Sequence, residues 1–148
     1  HEVRRKDEAL LKNEAMGVKL NLKVAPWETN QWNEVWEMEF KKGMTVKMKE
    51  PFNFWQTYII TEGSAKCTVG EDTFIAVPND FIQIYPYKPF EVEFTEDAKV
   101  LSWGSGYKLL DALEEANYYK LEEPEKLRDE KARREIMERY KLPIFIIE

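Results

Sequence analysis

The chain has 148 residues, which is enough for one domain with its own hydrophobic core. Its 22 Lys and Arg against 28 Asp and Glu give a net charge of −6, and an acidic surface repels phosphate backbones, so we expect no nucleic-acid partner. No apolar run approaches the ~20 residues of a membrane span, and the charged N-terminus has no signal-peptide pattern. We therefore expect no membrane association and a cytoplasmic location.

Histidine is nearly absent from the chain. The single histidine is His1, and the single cysteine is Cys67. Histidine is the commonest general base and a frequent metal ligand. A chain without an internal histidine has therefore lost most routes to a zinc, iron or copper site and to a Ser–His or Cys–His pair. Cys67 cannot form an intrachain disulfide and reads as a small core residue. We expect neither a metal ion nor another cofactor.

The first third of the chain combines a predicted helix with alternating strands. Residues 2–15 are predicted to be helical, with Gly17 as the helix stop. Apolar and polar residues then alternate over 18–24, 35–40 and 44–48, which predicts three strands.

Short alternating segments follow at regular spacing. Turn signals such as Glu62-Gly63 and Pro78-Asn79-Asp80 separate them. Many short strands joined by tight turns indicate an antiparallel sandwich or barrel. The predicted strands are approximately 54–61, 64–69, 72–77, 80–85, 90–95 and 98–103.

The last third changes to helical periodicity. One helix is predicted over Tyr107–Asn117 and a second, charged helix over Pro124–Tyr140, with the proline in its first turn. Residues 142–147 are predicted to form a compact apolar strand, which needs a sheet edge, either its own or a partner's. The whole chain, 1–148, is predicted to be a single domain with a barrel core over 18–104, a helical extension over 107–141 and a terminal strand over 142–148.

Two segments resemble the cupin motifs. Residues 50–63, Glu-Pro-Phe-Asn-Phe-Trp-Gln-Thr-Tyr-Ile-Ile-Thr-Glu-Gly, resemble the first motif, and residues 78–90, Pro-Asn-Asp-Phe-Ile-Gln-Ile-Tyr-Pro-Tyr-Lys-Pro-Phe, resemble the second. The resemblance covers about residues 35–103. It implies an all-β fold, an antiparallel cupin-type barrel (jelly roll) similar to the small RmlC-like cupins, here with a short N-terminal helix and C-terminal helices.

The metal ligands of the cupin motifs are replaced in this chain. The two histidines of the first motif fall on Glu50 and Phe52, its glutamate on Gln56, and the histidine of the second motif on Phe90. One carboxylate and one amide do not hold a transition metal. The resemblance therefore implies a metal-free cupin, without the family's metal-dependent activities.

The resemblance also implies which side chains face the barrel interior. Met48, Phe52, Gln56, Tyr58 and Phe90 are expected there. Trp103, at the end of the last barrel strand, is expected to close the cavity. Such an interior suits a small, partly apolar molecule oriented by one or two hydrogen bonds. Alternatively, the aromatic side chains simply fill the barrel.

Glu50 is the candidate catalytic residue. In an apolar cavity its pKa would rise and it could act as a general acid or base, whereas directly before Pro51 it could equally lie solvated at the barrel mouth. The first functional hypothesis is metal-independent small-molecule binding with weak isomerase- or lyase-type proton transfer through Glu50 and Tyr58 or Gln56. The second is a non-catalytic module with a filled barrel that dimerises through edge strands and Ile144–Ile147. A metal enzyme using other carboxylates would need several converging acids, and the predicted interior offers only Glu50. A homodimer is the expected assembly.

Overall fold

The computed structural model describes residues 1–48, 53, 55–104, 108–142 and 145–148. Within these ranges the chain forms eleven β-strands, three α-helices and one 3-10 turn at Pro26–Thr29. The strands are β1 Leu11–Ala15, β2 Val18–Val24, β3 Glu34–Phe40, β4 Thr45–Met48, β5 Gln56–Glu62, β6 Ala65–Val69, β7 Asp72–Ala76, β8 Phe81–Ile84, β9 Phe90–Phe94, β10 Ala98–Gly104 and β11 Phe145–Ile147. The helices are α1 Leu109–Glu122, α2 Glu125–Arg128 and α3 Glu130–Arg139.

The strands form two antiparallel sheets. The six-stranded sheet has the order β1-β2-β3-β10-β5-β8, and the five-stranded sheet has the order β11-β4-β9-β6-β7. The predicted alternating segments between residues 18 and 104 all become strands, so the antiparallel all-β expectation is confirmed for this part of the chain. The non-consecutive neighbours arise because the chain crosses between the two sheets.

The core lies between the two sheets. Trp36 from the six-stranded sheet is fully buried, and Cys67 from the five-stranded sheet is 1% exposed. Phe40 and Phe94 stack across the interior with ring centroids 4.1 Å apart. Leu110 of α1 and Ile136 of α3 are also buried, so the helical part of the chain packs against the sandwich.

The predicted N-terminal helix over 2–15 is wrong. Residues 11–15 are β1, and β1 pairs with β2 in the register Ala15↔Val18. Only Met16 and Gly17 connect the strands, and both have positive φ (54° and 80°), the geometry of a two-residue hairpin turn that follows strand twist. Gly17 is therefore part of a hairpin turn and does not end a helix.

The C-terminal helices differ from the prediction in their bounds. α1 begins at Leu109 and continues to Glu122, five residues beyond the predicted end at Asn117. The single helix predicted over Pro124–Tyr140 is two helices, because Asp129 is extended (φ −85°, ψ 120°) and its side chain accepts a hydrogen bond from Lys131 N. An aspartate in this role is a helix N-cap, which starts α3 afresh.

The apolar C-terminal strand uses the chain's own sheet. Phe145 pairs with Met48 and Ile147 with Val46, so β11 extends the five-stranded sheet at β4. Backbone hydrogen bonds between Thr45 and Glu148 continue the pairing. Ile144, which the sequence placed in the same strand, lies outside the described residues.

Candidate functional site

A cavity of about 430 Å³ lies between the two sheets. Residues of both sheets, of the three helices and of the C-terminal strand line it. Its wall is almost entirely apolar. Characteristic lining residues are Met38, Ile60, Val92, Phe94, Leu113 and Ile136.

Three polar side chains are grouped on one wall of this cavity. Gln56 and Ser102 are each 2% exposed. Tyr58 is next to both, because it lies two residues after Gln56 on β5 and pairs with Ser102 of β10. The Tyr58 hydroxyl donates a hydrogen bond of 2.6 Å to Gln56 Oε1. Since this bond engages the amide oxygen, the group that Gln56 can offer to a bound molecule is its NH2. We call Gln56, Tyr58 and Ser102 the polar triplet.

The electrostatic environment of the cavity disfavours charge. Burial raises the pKa of the Cys67 thiol to about 11, so this lining residue is neutral at physiological pH. Among the described lining residues, the formally charged one is Arg133, which is exposed and donates a hydrogen bond of 2.6 Å to the carbonyl oxygen of Leu127. Its charge therefore lies on the solvent side of the helices. An ion inside the cavity would lose its hydration without a charged partner among these residues.

A buried carboxylate fastens α1 to the six-stranded sheet. Glu34, at the start of β3, is 3% exposed, and its two oxygens accept hydrogen bonds from Leu109 N (3.0 Å) and Leu110 N (2.8 Å). Burial raises the pKa of Glu34, and the two backbone N–H groups act in the opposite direction. A carboxylate at a helix N-terminus satisfies donors that the helix itself leaves unpaired. Glu34 therefore holds in place the helix that supplies Ala112 and Leu113 to the cavity wall.

Solved structures share this architecture. Ectoine synthase from P. lautus superposes with a TM-score of 0.60 over 71% of this chain and 78% of that one, at 9% sequence identity. An RmlC-like cupin from Shewanella frigidimarina gives a TM-score of 0.57 over 71% of this chain and 90% of that one, at 12% identity. The chain has the cupin fold. KdgF from Halomonas sp. superposes with a TM-score of 0.56 over 66% of this chain and 86% of that one, at 12% sequence identity.

The likeness to these solved structures is one of fold. No family model matches it, and no curated protein does. At such low identities the likeness establishes the cupin fold and leaves the activity to be argued from the site.

The described residues at the positions of the cupin motifs do not fit a transition-metal ion. Gln56 offers a neutral amide whose oxygen already accepts the Tyr58 hydroxyl, and Phe90 packs against Tyr58 and Phe145 with centroids 6.2 and 5.7 Å away. Neither is a donor that zinc, iron or copper prefers. Among the described residues, no group of three or more His, Cys, Asp or Glu side chains is placed to hold a metal ion.

The cavity contains part of the predicted site. Gln56, Tyr58 and Phe90 line it together. Met48 is buried at 5% exposure beside Phe145 but does not line the cavity. Trp103 is half-buried and neighbours the inward-facing Ser102 on β10, so strand alternation turns it to the outer face of the sheet.

The remaining two predicted site residues lie outside the described residues. They are Glu50, the candidate catalytic residue, and Phe52. Their roles stay predictions. The sequence left open whether aromatic side chains fill the interior, and the described side chains leave a cavity of about 430 Å³ there.

Sequence reasoning missed Ser102 and the helical wall of the cavity. The parity of β10 could have placed Ser102 inward, since Val100 and Ser102 alternate with Leu101 and Trp103. It also missed Glu34, for which no local signal exists, because its partners lie 75 and 76 residues later in the chain.

No helix among the described residues is long and apolar enough to cross a membrane.

Proposed function

We propose that this chain binds a small, neutral, mostly apolar molecule between its two sheets, without a metal ion. The observation that carries the proposal is the cavity of about 430 Å³, whose apolar wall is interrupted by the polar triplet. Concave, largely apolar pockets with a few convergent polar groups are the usual form of small-molecule sites.

The dimensions of the cavity limit the size of the ligand. A volume of about 430 Å³ corresponds to the liquid volume of about 14 water molecules at ~30 Å³ each. This suits a molecule on the order of 15 non-hydrogen atoms, such as a two-ring aromatic compound or a short terpenoid.

The polar triplet favours one hydrogen-bonding group on the ligand. Gln56 brings N–H donors to this wall, so a carbonyl or hydroxyl oxygen of the ligand would be recognised there. A carboxylate would be disfavoured, because no charged side chain among the described residues accompanies the triplet inside the cavity.

Fluorescence titration tests the proposal. We expect prodan, a neutral naphthalene with one ketone, to bind saturably at one site per chain, and the anionic anilinonaphthalene sulfonate to bind at least about 10-fold more weakly. Ala116→Trp would place a ring in the cavity from α1, whereas Asn117→Trp adds the same ring to the exposed neighbouring position. Only Ala116→Trp should abolish prodan binding. Non-saturable binding, or equal binding by the two variants, would contradict the proposal.

The proposal includes weak proton-transfer activity, with Glu50 as the candidate catalytic residue. A substrate held at the polar triplet would lie beside the Tyr58 hydroxyl, and an isomerase- or lyase-type reaction would also need a general base, the role that the sequence predicts for Glu50. A Glu50→Gln variant that binds prodan normally but loses turnover would support this activity. Unchanged turnover would remove Glu50 from the mechanism.

The alternative is an interaction module without a ligand. The open cavity weighs against a filled interior, and β11 is already paired with β4, which leaves the tail one free edge. Self-association nevertheless has support in an exposed face of the six-stranded sheet, and the expected homodimer is part of the proposal.

A further inference from the structure

The outer face of the six-stranded sheet is divided into a charged half and an apolar half. The charged half lies over β2 and β3 and is crossed by the N-terminal segment. Lys6 of that segment forms a salt bridge of 2.8 Å with Glu62 at the far end of β5. Lys23 of β2 donates hydrogen bonds to the backbone carbonyls of Arg5, Lys6 and Glu8. The charged half is therefore partnered within the chain.

The apolar half lies over β8 and over the parts of β5 and β10 away from Glu62 and Lys99, with Val35 of β3 beside Trp103. Strand register places Phe81, Ile59 and Leu101 in one row across the sheet. The next row contains Gln83, Thr57 and Trp103. We define the apolar face by nine outward residues, none of which is charged: Val35, Trp55, Thr57, Ile59, Phe81, Gln83, Tyr85, Leu101 and Trp103.

The apolar face leaves large aromatic side chains in solvent. Phe81 is 71% exposed, Trp55 60% and Tyr85 57%, and the last two rings contact each other with centroids 5.0 Å apart. With 150–250 Å² per buried aromatic side chain, these three residues alone expose on the order of 400 Å². That is about half of the ~800 Å² that each partner contributes to a standard interface. The half-buried Ile59, Leu101 and Trp103 extend the same surface.

We propose that the apolar face is covered by the same face of a second copy of this chain, in a two-fold symmetric dimer. A two-fold interface opposes a patch with itself, so any net charge on the patch would repel its own copy. Each copy carries a net charge of −6. Because the face carries no charged residue, two such faces can meet without local charge repulsion between them. At its centre Thr57 donates a hydrogen bond of 2.6 Å to Gln83 Oε1, so the Gln83 amide is oriented on the surface with its NH2 group for a partner.

This dimer differs from the one the sequence predicted. The sequence placed the contact at the edge strands and the Ile144–Ile147 tail, whereas the face proposed here is the outer surface of a sheet, and β11 pairs with β4 of its own chain. This inference rests on the homodimer expected above and names its surface, but it does not depend on ligand binding, because the outer and inner faces of the sheet carry different residues.

Sedimentation velocity on the full chain tests the proposal. We expect a dimer at micromolar concentration and a dissociation constant raised at least about 30-fold by Phe81→Glu, since a charge replaces a central aromatic residue. Phe81 is 71% exposed, so this change should not disturb folding. Trp55→Glu, at 60% exposure, provides a second variant of the same face.

Two control variants locate the contact. Ile75→Glu introduces the same charge at a 57% exposed position on the edge strand of the other sheet, and Ile146→Glu introduces it on β11. Both should dimerise like the unmodified chain. A monomeric unmodified chain, a dimer unaffected by Phe81→Glu and Trp55→Glu, or a dimer dissociated by Ile146→Glu instead would overturn the proposal.

Discussion

Glu34 accepts a hydrogen bond of 2.8 Å from the backbone N–H of Leu110, a residue 76 positions later in the chain. With the matching bond from Leu109, this contact joins the first residue of β3 to the first turn of α1. Lys108, the residue at the helix N-cap position, makes no side-chain capping bond. The cap that this helix lacks locally is therefore supplied by the sheet, and the cavity wall depends on it.

Removing the Glu34 carboxylate should loosen α1. Glu34→Ala leaves two backbone donors without their acceptor, and we expect a loss of about 1–3 kcal/mol in the free energy of unfolding. Prodan binding should weaken because α1 lines the cavity. Chemical denaturation and fluorescence titration would measure the two effects. Asp111→Ala, which removes an exposed carboxylate from the first turn of the same helix, should have a much smaller effect on both.

The raised pKa of Glu34 predicts the sign of a pH dependence. The folded chain binds the proton more tightly than the unfolded chain, whose carboxyl titrates near its ordinary value of 4.5. The stability from this linkage is fully present below that value and is lost as the pH rises through the folded pKa. Glu34→Gln does not titrate, so the stability of the unmodified chain relative to this variant should decrease as the pH rises above about 4.5. A relative stability that increases over this range would contradict the raised pKa.

The Cys67 thiol should be unreactive in the folded chain. It is 1% exposed, and a pKa of about 11 instead of 9.0 lowers its thiolate fraction near neutral pH about 100-fold. Alkylation by iodoacetamide at about pH 8 should be at least that much slower than in urea-unfolded chain. Mass spectrometry would follow the rate. Comparable rates in the folded and unfolded chain would mean that the thiol is accessible and normally acidic.

Two glycines with positive φ should respond differently to substitution. A Cβ at Gly63 (φ 80°) would collide with the carbonyl oxygen of Asp97, whereas a Cβ at Gly43 (φ 90°) would meet no atom of the described residues within 4 Å. Both Gly→Ala changes carry the cost of an unfavourable backbone conformation, about 1 kcal/mol. Gly63→Ala adds a backbone clash and should lose about 3 kcal/mol or more in thermal or chemical unfolding. Equal losses would show that the Gly63 turn relaxes freely.

The polar triplet should distinguish ligands with and without an oxygen acceptor. Gln56→Leu keeps the side-chain volume but removes the amide, so prodan should bind about 10-fold more weakly while phenanthrene binds equally well or better. Thr61→Val on the same strand also removes a hydrogen-bonding group, the hydroxyl that contacts the carbonyl of Lys99, but on the outer face. This control should leave both affinities unchanged. Equal losses for both ligands would indicate a packing effect of Gln56 instead of recognition.

The sequence by itself determined the features that depend on local alternation and residue identity. Period-two segments such as Val18–Val24 and Phe90–Phe94 become strands because one face of each is buried. Residue identity also shows what the motif positions offer: Phe90 has no donor atom, and Gln56 has a neutral amide where the cupin motif has a carboxylate.

The tertiary structure decided what depends on distant partners. Leu11–Ala15 is a strand because β2 lies beside it after the Met16-Gly17 turn, although the segment alone reads as a helix. The pairing partner of Phe145–Ile147 and the role of Glu34 in α1 are likewise set by residues far away in the chain. Whether the interior is filled or open depends on how the side chains of both sheets and the helices pack together. This packing involves residues far apart in the chain, so no local sequence pattern predicts it.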